Sequence, residues 1–157
     1  MKQFLEYLKN PSVNMRKALT DKSYKKKYER ECHRKFEGEV NFELATYGDA
    51  LLKMVLCKLL FEKKIANLTK EKQNYETDKV LVEKIAKYYK ILEYIQFDNG
   101  DDKLPKDYVY GDTKNNKNHH KFIATAVEAC LAAIYIDTKS IECVENIVRS
   151  WINYMDK

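Results

Sequence analysis

Apolar positions along the chain fall into blocks with helical spacing. Phe4, Leu5 and Leu8 make a short amphipathic helix. Asn10-Pro11 stops it, because a residue before proline is steered out of the helical region. Met15, Ala18 and Leu19 carry a second short element, and residues 22–35 are then polar and strongly basic. Asn41, a good N-cap residue, opens a helix predicted to reach about Lys63. Its residues Phe42, Leu44, Ala45, Leu51, Leu52, Met54, Val55, Leu56, Leu59 and Leu60 spread nearly all round, the pattern of a central, buried helix. A polar stretch over 67–78 follows. Val80, Val82, Ile85, Ala86, Tyr89, Leu92 and Ile95 then predict one or two shorter helices with a break near Lys90. Residues 122–136 are almost continuously apolar. Val144, Ile147, Val148, Trp151, Ile152 and Met155 mark a last amphipathic helix. Between these blocks, residues 98–120 gather Asn99-Gly100, Pro105, Gly111 and a run of Asn, Lys and His. That clustering predicts a long loop of the functional or mobile kind.

Composition supports an all-α chain. Only four glycines and two prolines occur in 157 residues, too few for the turns of an all-β fold. No internal repeat or boundary divides the chain, so residues 1–157 are expected to form one domain with its core at about 15–150, flanked by an N-terminal and a C-terminal helix. The net charge of +5 suits a polyanionic partner but is also that of an ordinary soluble surface. Cys32, Cys57, Cys130 and Cys143 form no CxxC pair and read as free thiols, mostly buried, in a reducing compartment. Residues 1–9 are no signal peptide, and the longest apolar run, 50–61, is too short to span a bilayer and contains Lys53 and Lys58. An intracellular protein, cytoplasmic or nuclear and away from membranes, is the expectation.

The candidate chemistry lies in the two most apolar helices, each of which carries an isolated acid. Asp49 sits between Gly48 and Ala50-Leu51-Leu52, and Glu128 is the one charged residue over 122–136. A carboxylate in an apolar setting costs several kcal/mol unless it is paired, hydrogen-bonded or metal-bound. Two arrangements stay open: each acid meets its own Lys, Arg or helix end, or both face one shared site. In a shared site a divalent cation relieves their repulsion, and an oxygen-rich site of this type selects Mg²⁺ or Mn²⁺. Gly48 is costly inside a helix, which points to close approach by another helix or a ligand, or to a packing notch. The same-face neighbours that would supply further acids are Ala45 and Thr125, and Glu43 lies roughly 120° away from Asp49 around the helix. His33, His119 and His120 fall in polar surroundings and read as solvent-exposed. No GxSxG, GKS/T or HExxH pattern occurs.

These residues carry a family resemblance. Asn41-Phe-Glu-Leu-Ala-Thr-Tyr-Gly-Asp-Ala-Leu-Leu52 resembles the signature helix of ribonuclease III. Ala124-Thr-Ala-Val-Glu-Ala-Cys-Leu-Ala-Ala-Ile-Tyr-Ile-Asp137 resembles its second acidic helix. Lys17-Ala-Leu-Thr-Asp-Lys-Ser-Tyr24 and Lys84-Ile-Ala-Lys-Tyr-Tyr-Lys-Ile-Leu-Glu-Tyr-Ile95 are similar to two further family segments, in the right order. The resemblance implies an all-α ribonuclease III endonuclease domain of about seven helices, without the double-stranded-RNA-binding domain common in the family. It implies a homodimer that cuts double-stranded RNA with Mg²⁺ to leave 3′ overhangs. RNA would be recognised by its A-form shape, phosphates and 2′-hydroxyls.

The departures qualify that picture. Two of the family's four usual acids match, Asp49 and Glu128; the other two positions are Ala45 and Thr125. The compact Mini-III branch is similar at these places, and a noncanonical Dicer-like member also fits. The resemblance therefore assigns Asp49 and Glu128 as catalytic residues and metal ligands, with Thr125 in an outer shell. Lys22, Lys26, Lys27, Arg30, Lys117 and Lys121 are expected to contact RNA. A solvated helix face accounts for the basic segment equally well. Thr46 and Tyr47 are expected at the dimer interface, although Thr46 replaces a phenylalanine that anchors the partner. The alternative is a catalytically degenerate subunit that binds RNA or acts as a scaffold.

Overall fold

Helix α1 (Lys2–Lys9) opens the computed structural model, which describes residues 2–98, 110 and 120–157. It is followed by α2 (Val13–Ala18), α3 (Lys22–Cys32), α4 (Phe42–Glu62) and α5 (Leu68–Glu76). Next, α6 (Asp78–Val80), a π-helical segment (Leu81–Ala86) and α7 (Lys87–Tyr89) run on as one continuous helix over 78–89. A 3₁₀ turn at Ile91–Glu93 follows, and α8 (Lys121–Thr138) and α9 (Ile141–Met155) complete the order. The break expected near Lys90 is there: Lys90 has φ 52°, a left-handed conformation that ends a helix. The fold is all-α; its one sheet-like feature among the described residues is an isolated parallel bridge, Thr20 to Gln96. The loop expected over 98–120 lies outside the described residues apart from Asp98, Tyr110 and His120.

The polar stretch over 67–78 was not expected to be a helix, and it is one. Asn67 caps α5 by accepting from the Lys70 amide, and Tyr75 is buried, its hydroxyl donating 2.6 Å to Asp156 of α9's end. One buried aromatic anchors a helix that its periodicity would not. Counting 78–89 as one, the described residues hold eight helices where about seven were expected.

Helices α4 and α8 pack along their length and form the centre. Ile123, Ala124, Val127, Cys130, Leu131 and Ile134 of α8 are fully buried, as its unbroken apolarity predicts. Against this pair lie α2, α9 and the helix over 78–89. Phe4 closes one end, edge-on to Tyr89 and Trp151 at 4.7 and 5.3 Å, and the Trp151 indole donates to the Tyr89 hydroxyl. No helix among the described residues is long and apolar enough to cross a membrane.

Helix α4 is not buried all round. One stripe of its apolar surface faces out: Tyr47, Met54 and Phe61 repeat every seven residues and are 42%, 51% and 75% exposed. Asn41 does not cap with its side chain either. Its amide is buried and donates to the Ala18 carbonyl, and its backbone N–H donates to Thr20, so it ties the start of α4 to the end of α2. All four cysteines are free, but only Cys130 is buried; Cys32 is exposed because α3 buries no residue at all. His120 is buried at the start of α8, contrary to its polar sequence context, and His33 is exposed.

Candidate active site

Gly48 fixes the geometry. A Cβ built there would lie 1.8 Å from the carbonyl oxygen of Glu128 and 2.4 Å from its carbonyl carbon. Contacts that short do not occur, so no side chain fits. The glycine is the point where α4 and α8 touch backbone to backbone, which resolves the choice between close approach and a loose notch. The touching residues sit beside the two acids. Asp49 follows Gly48, Glu128 is itself the contact, and both side chains line one open cleft of about 780 Å³. Ala45, Thr46, Thr125 and Lys121 line it too, as do Lys53, Glu76, Asp78 and Tyr110.

The two acids are not equivalent. Asp49 is partly exposed and paired: Lys53, one turn on, places its Nζ 2.7 Å from Asp49 Oδ2. For this acid the plainer arrangement, a lysine partner, is correct. Glu128 receives no hydrogen bond or ion pair among the described residues. Burial first, and then the negative charges of Asp49 and Asp78, push its carboxyl up to about 7 from an ordinary 4.5, with Lys53 and Lys121 opposing. A glutamate that ionises only near neutrality, in a cleft shared with three other acids, has the setting of a functional group rather than of a structural ion pair.

Thr125 lies one turn before Glu128, and its hydroxyl donates to the Lys121 carbonyl at 3.1 Å. The oxygen keeps lone pairs to accept from a water. Lys121 pairs with Asp78 at 3.4 Å, and the Tyr110 hydroxyl donates to the same carboxylate oxygen at 3.2 Å. Sequence reading missed Lys53 and Asp78. Lys53 was legible, four residues from Asp49 on the same helix face. Asp78 was not: it ends a polar stretch without periodicity, and only the packing of the helix over 78–89 against α8 brings it to the cleft.

The remaining predicted residues lie elsewhere. Lys22, Lys26 and Arg30 are exposed on α3 and Lys27 is half-buried. Arg30 is partly spoken for, its guanidinium 3.2 Å from Asp98. Lys117 lies outside the described residues. Tyr47 faces out on the apolar stripe of α4, edge-on to Tyr135 at 5.9 Å. Thr46 sits on the cleft side with its hydroxyl bonded back to the Phe42 carbonyl at 3.3 Å.

Among the described residues no group of three or more His, Cys, Asp or Glu is gathered tightly enough to enclose a metal ion. The donor set still fits a hard divalent cation. Mg²⁺ keeps much of its water and is commonly held by one or two carboxylates plus substrate phosphate, and two acids whose charges oppose one another are stabilised by it.

Comparison with known proteins supports the same family. The chain's fold is similar to that of the nuclease domain of ribonuclease III from Campylobacter jejuni, a structure concerned with flexibility in the region involved in dimer formation. The TM-score is 0.66 at 20% identity, covering 96% of this chain and 94% of that one. At that identity the likeness speaks for the fold. No curated protein matches the chain. The model of the ribonuclease III domain matches residues 43–139, which run from the start of α4 to the end of α8 and include both acids. Matched over more than half its length, across the two helices that build the cleft, the chain belongs to the ribonuclease III domain family.

Proposed function

We propose that residues 1–157 form a single ribonuclease III-type domain and that the cleft between α4 and α8 is its centre for cutting double-stranded RNA. The observation that carries this reading is Glu128: a carboxyl without a partner among the described residues, raised to about 7, facing a cleft it shares with Asp49. Asp49 and Glu128 would hold Mg²⁺ or Mn²⁺, with Thr125 holding a water in the outer shell. When bound, such a cation activates water and stabilises the leaving 3′ oxygen.

The chain's own residues set the conditions. Ionised Glu128 is the form that holds a cation, so binding draws its proton off and metal affinity rises with pH up to about 7. Lys121 on the cleft rim offers its ammonium to a backbone phosphate, held in place by Asp78. Lys22, Lys26, Lys27 and Arg30 on α3 extend that grip through phosphate contacts that carry no sequence information, and Lys117, outside the described residues, is a further candidate for such a contact. The stripe of Tyr47, Met54 and Phe61 is the face for a second copy. It lies roughly 120–160° round α4 from Asp49, so pairing along it leaves both clefts open, one per RNA strand. Thr46, on the cleft side, adds little to that contact.

Incubation with long double-stranded RNA and Mg²⁺ should give staggered fragments with 3′ overhangs, read by sequencing both ends. Blunt or random ends would refute the paired-cleft geometry. Met54→Asp should yield a monomer by sedimentation and products nicked in one strand. A second reading, a degenerate RNA-binding or scaffold subunit, draws on the absence of a three-ligand cluster among the described residues. It predicts RNA binding without cutting at any divalent-metal concentration.

A further inference from the structure

Lys53 stands where a cation is needed. It lies one turn beyond Asp49 on the cleft face of α4, and its ammonium sits 2.7 Å from Asp49 Oδ2. That carboxylate is also the one a divalent cation would take, and two positive charges on one carboxylate repel each other, so a bound metal weakens its hold on Lys53. The pair is half-exposed, with 48% of the Lys53 side chain and 36% of the Asp49 side chain open to solvent. An ion pair of that exposure is weak and exchanges readily.

The charges around the cleft say where the displaced ammonium would go. Asp49, Glu76, Asp78 and Glu128 line it, and a polyanionic backbone approaching those acids is repelled unless cations intervene. Lys121, tied to Asp78 at the rim, offsets only part of that charge. Lys53, freed from Asp49, is a point charge on a flexible stem, which suits a phosphate in any orientation.

Resting on the reading of the cleft as a metal-dependent RNA-cutting centre, we propose that Lys53 is a tethered counter-cation: it holds Asp49 in the free protein, yields it to the divalent cation, and passes to an RNA phosphate. Metal and RNA then help one another bind. The cation releases Lys53 for the RNA, and the RNA draws Lys53 off Asp49, with the same coupling in both directions.

The test uses the full chain and Lys53→Met, which keeps the length of the side chain and removes its charge. Mn²⁺ binding without RNA, followed by the electron paramagnetic resonance of the free ion, should tighten about three-fold, the scale an exposed ion pair supports. Binding of a short RNA duplex in Ca²⁺, followed by anisotropy, should weaken by about the same factor. A structural role would move both in one direction. Lys53→Arg, which keeps the charge, should bind Mn²⁺ no more tightly than the parent. Equal Mn²⁺ affinity in parent and Lys53→Met, or RNA binding that fails to weaken, overturns the proposal while leaving the metal site standing. No Mn²⁺ binding by either protein removes the metal site and the proposal together.

Discussion

At the seam of α4 and α8, backbone lies on backbone, and the acids are carried by helices that bury most of their apolar residues, the outward stripe of α4 apart. Helix α3 is built the opposite way. It buries no residue, Lys22 and Lys26 are exposed, and it is held by the Asp21 cap, the Arg30–Asp98 ion pair and the packing of Phe36 against Tyr24 and Tyr28. The first region can position two carboxylates but cannot tolerate an added atom. The second tolerates much and positions little, which is enough for phosphate contacts that need charge rather than shape. On the proposed reading chemistry and grip are thus separated, and substitutions in the two regions should fail in different ways.

The largest effect is expected at the seam. Gly48→Ala forces the helices apart against a carbonyl oxygen and should cost about 3 kcal/mol or more by urea denaturation. Lys26→Ala on α3 should stay within about 0.5 kcal/mol of the parent. A Gly48→Ala protein as stable as the parent would break the comparison.

Next comes Glu128. Its folded-state pKa is raised to about 7 from an ordinary 4.5, so between those values the folded protein holds a proton that the unfolded chain has lost. Glu128's contribution to stability is therefore full below about 4.5 and declines as pH rises through about 7, by about 2 kcal/mol after allowing for solvent reaching the group. Glu128→Gln should lack that decline and be the more stable protein at pH 8. A parent curve flat from pH 5 to 8 would show that the carboxyl is better solvated than its setting implies.

The smallest effects belong to α3. Lys22→Gln and Lys26→Gln should each lower the salt dependence of RNA affinity by roughly one phosphate contact, without altering the cutting position. Arg30→Gln should do less, because Asp98 already neutralises part of its charge. Salt slopes unchanged by all three would reduce α3 to a solvated surface.

Much of this was legible in the sequence, for particular reasons. The helices α4 and α8 could be read because their apolarity is dense and long, and the two acids stood out against it. Gly48 left open a close approach by a helix or ligand and a packing notch, which only the placement of α8 decides. Helix α5 was missed because one buried tyrosine, not a periodic face, fastens it. Met54 of the outward stripe was read as core because it is as apolar as its buried neighbour Val55; only the placement of the other helices leaves it uncovered. Asp78 reaches the cleft through tertiary packing alone, which no local spacing records.

The central claim, that Asp49 and Glu128 form one working centre, is met most directly by single-turnover cleavage of double-stranded RNA in Mg²⁺. The parent would be compared with Asp49→Asn and Glu128→Gln, each shown to be folded by circular dichroism. Cutting by the parent and its loss in both variants, with RNA binding kept, is the expected result. Cutting that survives either substitution, or a parent that binds RNA and cuts at no metal concentration, would contradict it.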